Sequence, residues 1–148
     1  MEAIIFIGIQ ASGKSTFYKE RFFNSHVRIS LDLLNTRNKQ EKFLETCFAT
    51  QTMFVVDNTN PTLAERKFFI ETAKVNKYKV IGYYFKSSIE EALKRNSERS
   101  GKERIPDVGI LGCYTKLVVP SYQEGFDQLY YVKTKAGNFS INDWVDEV

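Results

Sequence analysis

The octet GIQASGKS at residues 8–15 constrains the fold of this chain more than any other feature of its sequence. It matches the phosphate-binding pattern G-x-x-x-x-G-K-[ST]. The apolar residues 3–7 before it predict a strand, and residues 16–23 after it predict a helix. Phosphate loops occur in this strand–loop–helix context, in which the helix N-terminus presents unpaired backbone N–H groups to an anion. The octet therefore predicts an α/β fold with a nucleotide phosphate site near the start of the chain.

Each part of the octet has a chemical role in this interpretation. Gly8 and Gly13 allow the backbone to curl around a phosphate without a Cβ clash. Lys14 would bridge the β- and γ-phosphates, and Ser15 would ligate Mg²⁺. A plain connecting turn is the alternative, but such a turn needs no Lys–Ser pair. The predicted ATP-binding residues are Gly8, Ala11, Ser12, Gly13, Lys14, Ser15 and Thr16.

Length and composition indicate one globular domain over residues 1–148. No stretch approaches the about 18 apolar residues of a membrane span, and no charged segment precedes the first apolar run, so we expect no membrane partner and no signal peptide. Cys47 and Cys113 lack metal-site spacing and predict buried free thiols of a cytoplasmic protein. A net charge of +3 permits a polyanionic partner without requiring one. The oligomeric state stays open.

Strand and helix signals alternate along the chain. Strands are predicted at residues 3–7, 27–30, 53–57, 78–85 and 128–133, with helices between them. Asn60 and Pro61 have the residue types of an N-cap and a first helical residue. Residues 134–148 have no clear pattern. The alternation predicts a three-layer α/β fold in which a five-stranded parallel sheet is flanked by helices.

Two acidic residues follow predicted strands, and ligands of parallel sheets bind at the carboxyl ends of strands. Asp32 would accept a proton from an attacking hydroxyl, but it also suits the N-cap of the next helix. Asp57 ends an apolar strand, as does the acid that holds Mg²⁺ in many phosphate-loop proteins. Turn formation is the alternative for Asp57, and the neighbouring phosphate loop favours the functional interpretation.

A third cluster is basic. Arg95 and Arg99 are four residues apart on a predicted helix, where like charges repel unless an anion arrives between them. Gly101 beside them suits a movable lid. The alternative is a solvated helix end, supported by the spacing of Glu91 and Arg95.

These clusters, in this order, resemble the 5′-kinase domain of the polynucleotide kinase family over most of the chain. The specific segments are D-N-T-N-P at residues 57–61 and R-N-x-x-R at residues 95–99, joined by residues 105–107, Tyr114, Pro120 and E-G-F at residues 124–126. The resemblance implies a P-loop kinase fold with strand order 2-3-1-4-5 and a helical lid at about residues 94–106.

The resemblance also implies roles. Asp32 would be the general base on a 5′-hydroxyl, and Arg95 and Arg99 would be lid arginines on the donor phosphates. Asp57 would lie at the acceptor or in the magnesium shell; both stay open. The implied activity is transfer of the γ-phosphate of ATP, with Mg²⁺, to the 5′-hydroxyl end of a nucleic acid.

Two departures concern the acceptor side. Leu31 stands where the family usually has an arginine before the general base. Several members also have an arginine shortly after the base to hold the acceptor phosphate; here Asn35 is the nearest match and Arg37 lies two residues further on. We therefore predict Asp32, Asn35, Arg37 and Asp57 as acceptor-binding candidates. No D-x-D-G-T phosphatase motif occurs, so only a kinase half is expected.

Two alternative functions remain. The first is a P-loop kinase for a small-molecule or nucleotide hydroxyl, favoured by the altered surroundings of Asp32. The second is a regulatory NTPase. A GTPase switch would need an N-K-x-D segment after a strand, and the nearest match at residues 38–41 ends in glutamate and follows no strand.

Overall fold

The computed structural model describes residues 1–135 and 137–145. The strands are β1 (Glu2–Ile7), β2 (Val27–Ile29), β3 (Phe54–Val56), β4 (Lys79–Phe85), β5 (Gln128–Lys135) and β6 (Asn138–Asp143). The helices are α1 (Lys14–Arg21), α2 (Leu31–Leu34), α3 (Arg37–Thr50), α4 (Leu63–Val75), α5 (Ile89–Ser97) and α6 (Asp107–Lys116). Short 3-10 helices lie at Gly101–Glu103 and Tyr122–Glu124.

The strands form one sheet in the order β2-β3-β1-β4-β5-β6. The first five are parallel and confirm the predicted order 2-3-1-4-5. The prediction of five strands is corrected to six, because β6 pairs antiparallel with β5. This last strand is polar on alternate positions, and only its residues Phe139 and Ile141 pack against the core. Its pattern is too weak to distinguish a strand from a loop by sequence.

The central strand β1 is buried on both faces, as expected for a parallel strand covered by helices. Ile5 and Ile7 pack with residues of α3 and α4 on one face. Phe6 faces the other side, where it contacts Phe17 of α1 at a ring-centroid distance of 5.8 Å. Two separate cores thus hold the sheet between helices and place the end of β1, where the glycine loop begins, in the middle of the molecule.

The helix after β3 begins later than predicted. Thr62 is the N-cap of α4 and forms a reciprocal capping box with Glu65. Asn60 instead has a left-handed backbone (φ 46°), and its side-chain amide donates to the carbonyl of Phe6 at 2.8 Å. Asn60 therefore ties the loop after β3 to the end of β1 rather than starting the helix.

A third, smaller core lies over the glycine loop. Ile9 and Ala11 of the loop pack with Ala92 of α5 and with Ile110 and Cys113 of α6. The helices α5 and α6 therefore cover the loop from one side. The range predicted as a lid, about residues 94–106, contains the end of α5 and the 3-10 helix Gly101–Glu103, and its role as a lid stays a prediction. Among the described residues no helix has both the length and the apolar character needed to cross a membrane.

Candidate active site

The glycine loop has the backbone geometry of a phosphate cradle. Gly13 is the N-cap of α1 in a left-handed conformation (φ 95°), and no side chain caps the helix. A Cβ on Gly8 would lie 3.0 Å from the Cβ of Phe85, so the loop can run this close to β4 only with glycine there. The Gly8 N–H donates to the carbonyl of Thr59 at 3.0 Å. The free N–H groups at the start of α1 are therefore available for an anion.

Lys14 is buried and its ammonium lies across the loop. It donates to the carbonyls of Gly8 at 2.8 Å and Ile9 at 2.7 Å. Burial lowers the pKa of Lys14 to about 8, while the nearby carboxylates of Asp57 and Asp32 act in the opposite direction. A lysine in this state gains its full charge when phosphate arrives, because the anion compensates the desolvation of the ammonium.

Ser15 and Asp57 lie side by side at the start of α1 and the end of β3. The Ser15 hydroxyl donates to Asp57 Oδ2 at 3.0 Å, although the two residues are far apart in sequence. A hydroxyl and a carboxylate so placed fit the protein ligands of Mg²⁺ beside a phosphate loop. The described residues contain no group of three or more His, Cys, Asp or Glu side chains that could hold a metal. Bound phosphate oxygens and water would have to supply the remaining ligands.

Arg28 is a residue that the sequence analysis missed. Its Nε donates to Asp57 Oδ2 at 2.8 Å, and its terminal nitrogen donates to the Ser15 hydroxyl at 3.1 Å. Arg28 lies on β2 opposite Val55 of β3, while the next residue, Ile29, is fully buried. An arginine inside a three-residue strand next to the predicted site was a signal that it serves the site.

Asp32 is the second residue of α2 and is exposed. The N-cap position of α2 belongs to Ser30, whose side-chain oxygen is buried and has no hydrogen-bond partner among the described residues. The Asp32 carboxylate is close enough to Lys14 to raise the pKa of that ammonium. Its role as a general base stays a prediction.

Of the two arginines predicted for the lid, Arg95 contacts the glycine loop, whereas Arg99 donates to the carbonyl of Glu103 at 3.5 Å. Arg95 donates to the carbonyl of Ala11 at 3.2 Å and pairs with Glu91 at 3.8 Å. Arg99 lies near enough to Lys14 to lower its pKa. The ion pair that favoured a solvated helix end is thus present, yet the same arginine also contacts the loop.

Asn96 lies between these arginines in the sequence and is fully buried. It connects two parts of the predicted lid. Its amide nitrogen donates to the carbonyl of Ile105 at 2.6 Å, and its oxygen accepts from the Ile105 N–H at 3.0 Å. A weaker contact of 3.4 Å reaches Asp107 at the start of α6. Asn96 therefore joins α5 to the segment before α6. Arg95 lies on α5, but the helix ends at Ser97, so the prediction that Arg95 and Arg99 share a helical face is wrong.

The D-N-T-N-P segment positions neighbouring elements. Asn58 Oδ1 accepts from the Leu31 N–H at 2.9 Å, and its amide nitrogen donates to the buried Gln40 at 2.7 Å. Asn58 thus holds α2, and with it Asp32, against the end of β3. Leu31, where the family has arginine, contributes its backbone to this link.

Arg66 connects distant segments of the chain that carry the family resemblance. It is fully buried on α4 and forms a two-pronged ion pair with Glu124, at 2.7 and 3.1 Å. It also donates to the carbonyls of Asn60, Pro61 and Val118. One buried arginine thus joins the segment after β3 to the segment before β5, so Asn60 and Glu124 have a structural role.

A cavity of about 300 Å³ lies beside α2 and the end of β3. Its lining includes Leu31, Arg37, Gln40, Glu41, Asn58 and Phe68. Of the four predicted acceptor residues, only Arg37 lines this cavity. The lining does not include Asp32, Asn35 or Asp57. A wider depression of about 430 Å³ around Lys74, Lys77 and Asp127 lies at the opposite end of β4.

The chain is similar to two curated relatives. It is 27% identical over 138 residues to a bifunctional polynucleotide phosphatase/kinase of Schizosaccharomyces pombe, covering 90% of this chain and 34% of that protein. It is 30% identical over 135 residues to a putative bifunctional polynucleotide phosphatase/kinase of Acanthamoeba polyphaga mimivirus, covering 86% of this chain and 32% of that protein. The chain thus spans about a third of the length of these relatives. A scan against descriptions of protein families finds no match.

Solved structures share the fold. Kti12 of Chaetomium thermophilum, in complex with ADP-AlF3, superimposes with a TM-score of 0.64 at 16% identity, covering 88% of each chain. A gluconokinase of Sinorhizobium meliloti gives a TM-score of 0.63 at 17% identity, covering 89% of this chain and 82% of that one. The comparisons confirm the resemblance seen in the sequence: the chain is similar to curated polynucleotide phosphatase/kinases, and it has the P-loop kinase fold.

Proposed function

We propose that this chain is a phosphotransferase that moves the γ-phosphate of ATP to the 5′-hydroxyl end of a polynucleotide. The observation that carries the proposal is the set of contacts at the glycine loop. Asp57 accepts from the Ser15 hydroxyl at 3.0 Å, and Arg95 donates to a loop carbonyl at 3.2 Å. A candidate metal ligand and a candidate lid arginine thus contact the loop that carries Lys14, as phosphoryl transfer to a hydroxyl requires, and Asp32 raises the pKa of Lys14.

The proposed reaction uses these groups in fixed roles. The acceptor hydroxyl oxygen attacks the γ-phosphorus of ATP while Asp32 accepts its proton, and the bond to the β–γ bridging oxygen breaks to release ADP. Lys14, Arg95 and Arg99 stabilise the negative charge on the transferring group. Ser15 and Asp57 would hold Mg²⁺, which neutralises charge on the β- and γ-phosphates.

The cavity lined by Leu31 and Arg37 is the proposed acceptor site. It is bounded by Leu31, adjacent to Asp32 in sequence, and it contains one cation, Arg37, that can meet a phosphodiester. Phe68, which is exposed, offers a ring face on which a base can stack. An acceptor bound there would have its hydroxyl near Asp32 and its backbone near Arg37.

A second candidate is a kinase for a small, uncharged hydroxyl compound. Glu41 and Glu65 also line the cavity, and two carboxylates disfavour a polyanion. Leu31 removes a cation at the same place. Acceptor charge therefore distinguishes the two candidates: binding of a polynucleotide weakens steeply with salt, and binding of a neutral compound does not.

The experiment compares phosphate transfer from labelled ATP to a 5′-hydroxyl oligonucleotide, a nucleoside and small alcohols. We expect labelling of the oligonucleotide, loss of transfer in Asp32→Asn with ATP binding retained, and normal transfer in the control Asp143→Asn, which changes another exposed aspartate. Labelling of the small acceptors alone would contradict the proposed acceptor. Normal transfer by Asp32→Asn would contradict the proposed base.

A further inference from the structure

The position predicted for Mg²⁺ already has a cationic occupant from the chain itself. The Arg28 guanidinium bonds to Asp57 Oδ2 at 2.8 Å and to the Ser15 hydroxyl at 3.1 Å, and these two oxygens lie 3.0 Å from each other. We infer that Arg28 and the divalent cation compete for Ser15 and Asp57, so that Arg28 sets the metal affinity of the site. The inference rests on the proposed function only in assuming that the loop binds a magnesium nucleotide.

Arg28 and a bound metal exclude each other at these atoms. Magnesium holds its ligands at about 2.0–2.1 Å in near-octahedral geometry. A Ser15 oxygen that ligates the metal directs one of its two lone pairs to it and keeps only the other for Arg28. A guanidinium at hydrogen-bond distance from the same oxygens would also lie within a few ångströms of the metal charge and repel it.

Burial explains why the site needs an occupant. The Asp57 side chain is only 2% exposed, and an unpaired buried carboxylate is strongly destabilising. Arg28 compensates that charge when it bonds to Asp57. The Arg28 side chain is itself 27% exposed, so rotation of its side-chain torsions can carry the guanidinium toward solvent. The exchange therefore requires no change in the backbone of β2.

The neighbouring charges permit this exchange. Lys14 lies close enough to Asp57 for that carboxylate to raise its pKa, so one cation stays beside Asp57 after Arg28 leaves. The Tyr18 phenol lies close enough to both Arg28 and Asp57 for them to affect its pKa, and it donates to the carbonyl of His26. The Tyr18 hydroxyl is therefore already hydrogen-bonded and does not replace Arg28 as the donor to Asp57.

Titration with Mn²⁺ in the presence of adenylyl imidodiphosphate, followed by electron paramagnetic resonance of free Mn²⁺, tests the inference. Arg28→Met removes the guanidinium and keeps a long side chain. We expect its apparent Mn²⁺ affinity to rise about tenfold or more, the factor that corresponds to a hydrogen bond to a charged group. The control Lys67→Met removes the cation of an exposed ion pair on α4 and should leave the affinity unchanged. An unchanged or weaker affinity in Arg28→Met would overturn the inference.

A second measurement uses the unaltered chain, so it can be made even if Arg28→Met does not fold. The Arg28 Nε–H signal in a ¹⁵N correlation spectrum, assigned through Arg28→Lys, should lose protection from solvent exchange when the magnesium nucleotide analogue binds. Retained protection would show that Arg28 stays on Asp57 and would overturn the inference. Neither measurement contains an acceptor, so failure to phosphorylate oligonucleotides would leave both results intact. A native chain that binds no Mn²⁺ nucleotide would overturn this inference and the proposed function together.

Discussion

Arg66 and Lys67 are neighbours on α4 that test how much a buried ion pair contributes. Arg66 is fully buried and pairs with Glu124, whose side chain is 10% exposed. Lys67 pairs with Glu71 at 3.7 Å, and both side chains are about two-thirds exposed. Arg66→Met leaves Glu124 as a buried carboxylate without its cation and removes the donor to three backbone carbonyls. Breaking a buried pair in this way costs about 3–5 kcal/mol.

The expected effect is large enough to measure by thermal unfolding. For a domain of this size each kcal/mol shifts the unfolding temperature by about 2–4 °C, so Arg66→Met should unfold about 10 °C lower. Lys67→Met, the matched control, should change stability by less than about 1 kcal/mol.

A double-mutant cycle separates the ion pair from the carbonyl contacts of Arg66. If the pair dominates, Arg66→Met combined with Glu124→Gln should lose less stability than the sum of the two single variants, because no unpaired charge remains. A decrease in Arg66→Met no larger than in Lys67→Met would refute the reasoning.

Three further predictions concern the lid and the loop. Asn96→Ala leaves both backbone groups of Ile105 without their partner, so we expect about 1–3 kcal/mol less stability and faster trypsin cleavage between α5 and α6; unchanged cleavage would argue against the connection. If Arg99 stabilises the transferring phosphate, Arg99→Ala should slow transfer about 10³-fold or more. Arg104 is an exposed arginine nearby, and Arg104→Ala should not slow transfer. Equal rates of the two variants would indicate that Arg99 is a solvated side chain without a role in transfer. Burial lowers the pKa of Lys14 to about 8, so kcat/KM for ATP should fall above that pH as Lys14 of the free enzyme loses its proton. The value of kcat should stay constant to higher pH, because bound phosphate raises the pKa of Lys14. A flat kcat/KM profile to about pH 10 would contradict this prediction.

Much of the fold was predictable because its signals are local. The octet at residues 8–15 and the alternation of apolar strands with capped helices predicted a parallel sheet flanked by helices. The family resemblance implied the order of the five parallel strands, which the sheet confirms. The strand β6 was not predictable, because its stability comes from pairing with β5 and from two side chains on the aromatic core. The start of α4 was misplaced for a similar reason, since Asn60 bonds to the distant Phe6.

The candidate site was predictable only in part. Lys14 and Ser15 follow from the loop pattern, and Asp57 from its position after a strand. Arg28 and Arg66 were not identified, because their partners Asp57 and Glu124 lie 29 and 58 residues away. The only local signal was the charge of Arg28 inside a strand next to the predicted site, and it did not indicate a partner. The roles of Asp32, Arg95 and Arg99 stay predictions. Arg95 contacts the loop, and the charges of Asp32 and Arg99 affect the pKa of Lys14.

The central claim is that the γ-phosphate of ATP arrives on a 5′ oxygen of a polynucleotide. The most direct measurement is mass spectrometry of a single-stranded oligonucleotide with a 5′-hydroxyl, incubated with the chain, ATP and Mg²⁺, beside the same oligonucleotide blocked by a 5′-O-methyl group. The account predicts one added phosphate on the free 5′ end and none on the blocked strand. Addition to both strands, or to neither while a small alcohol is phosphorylated, would contradict it.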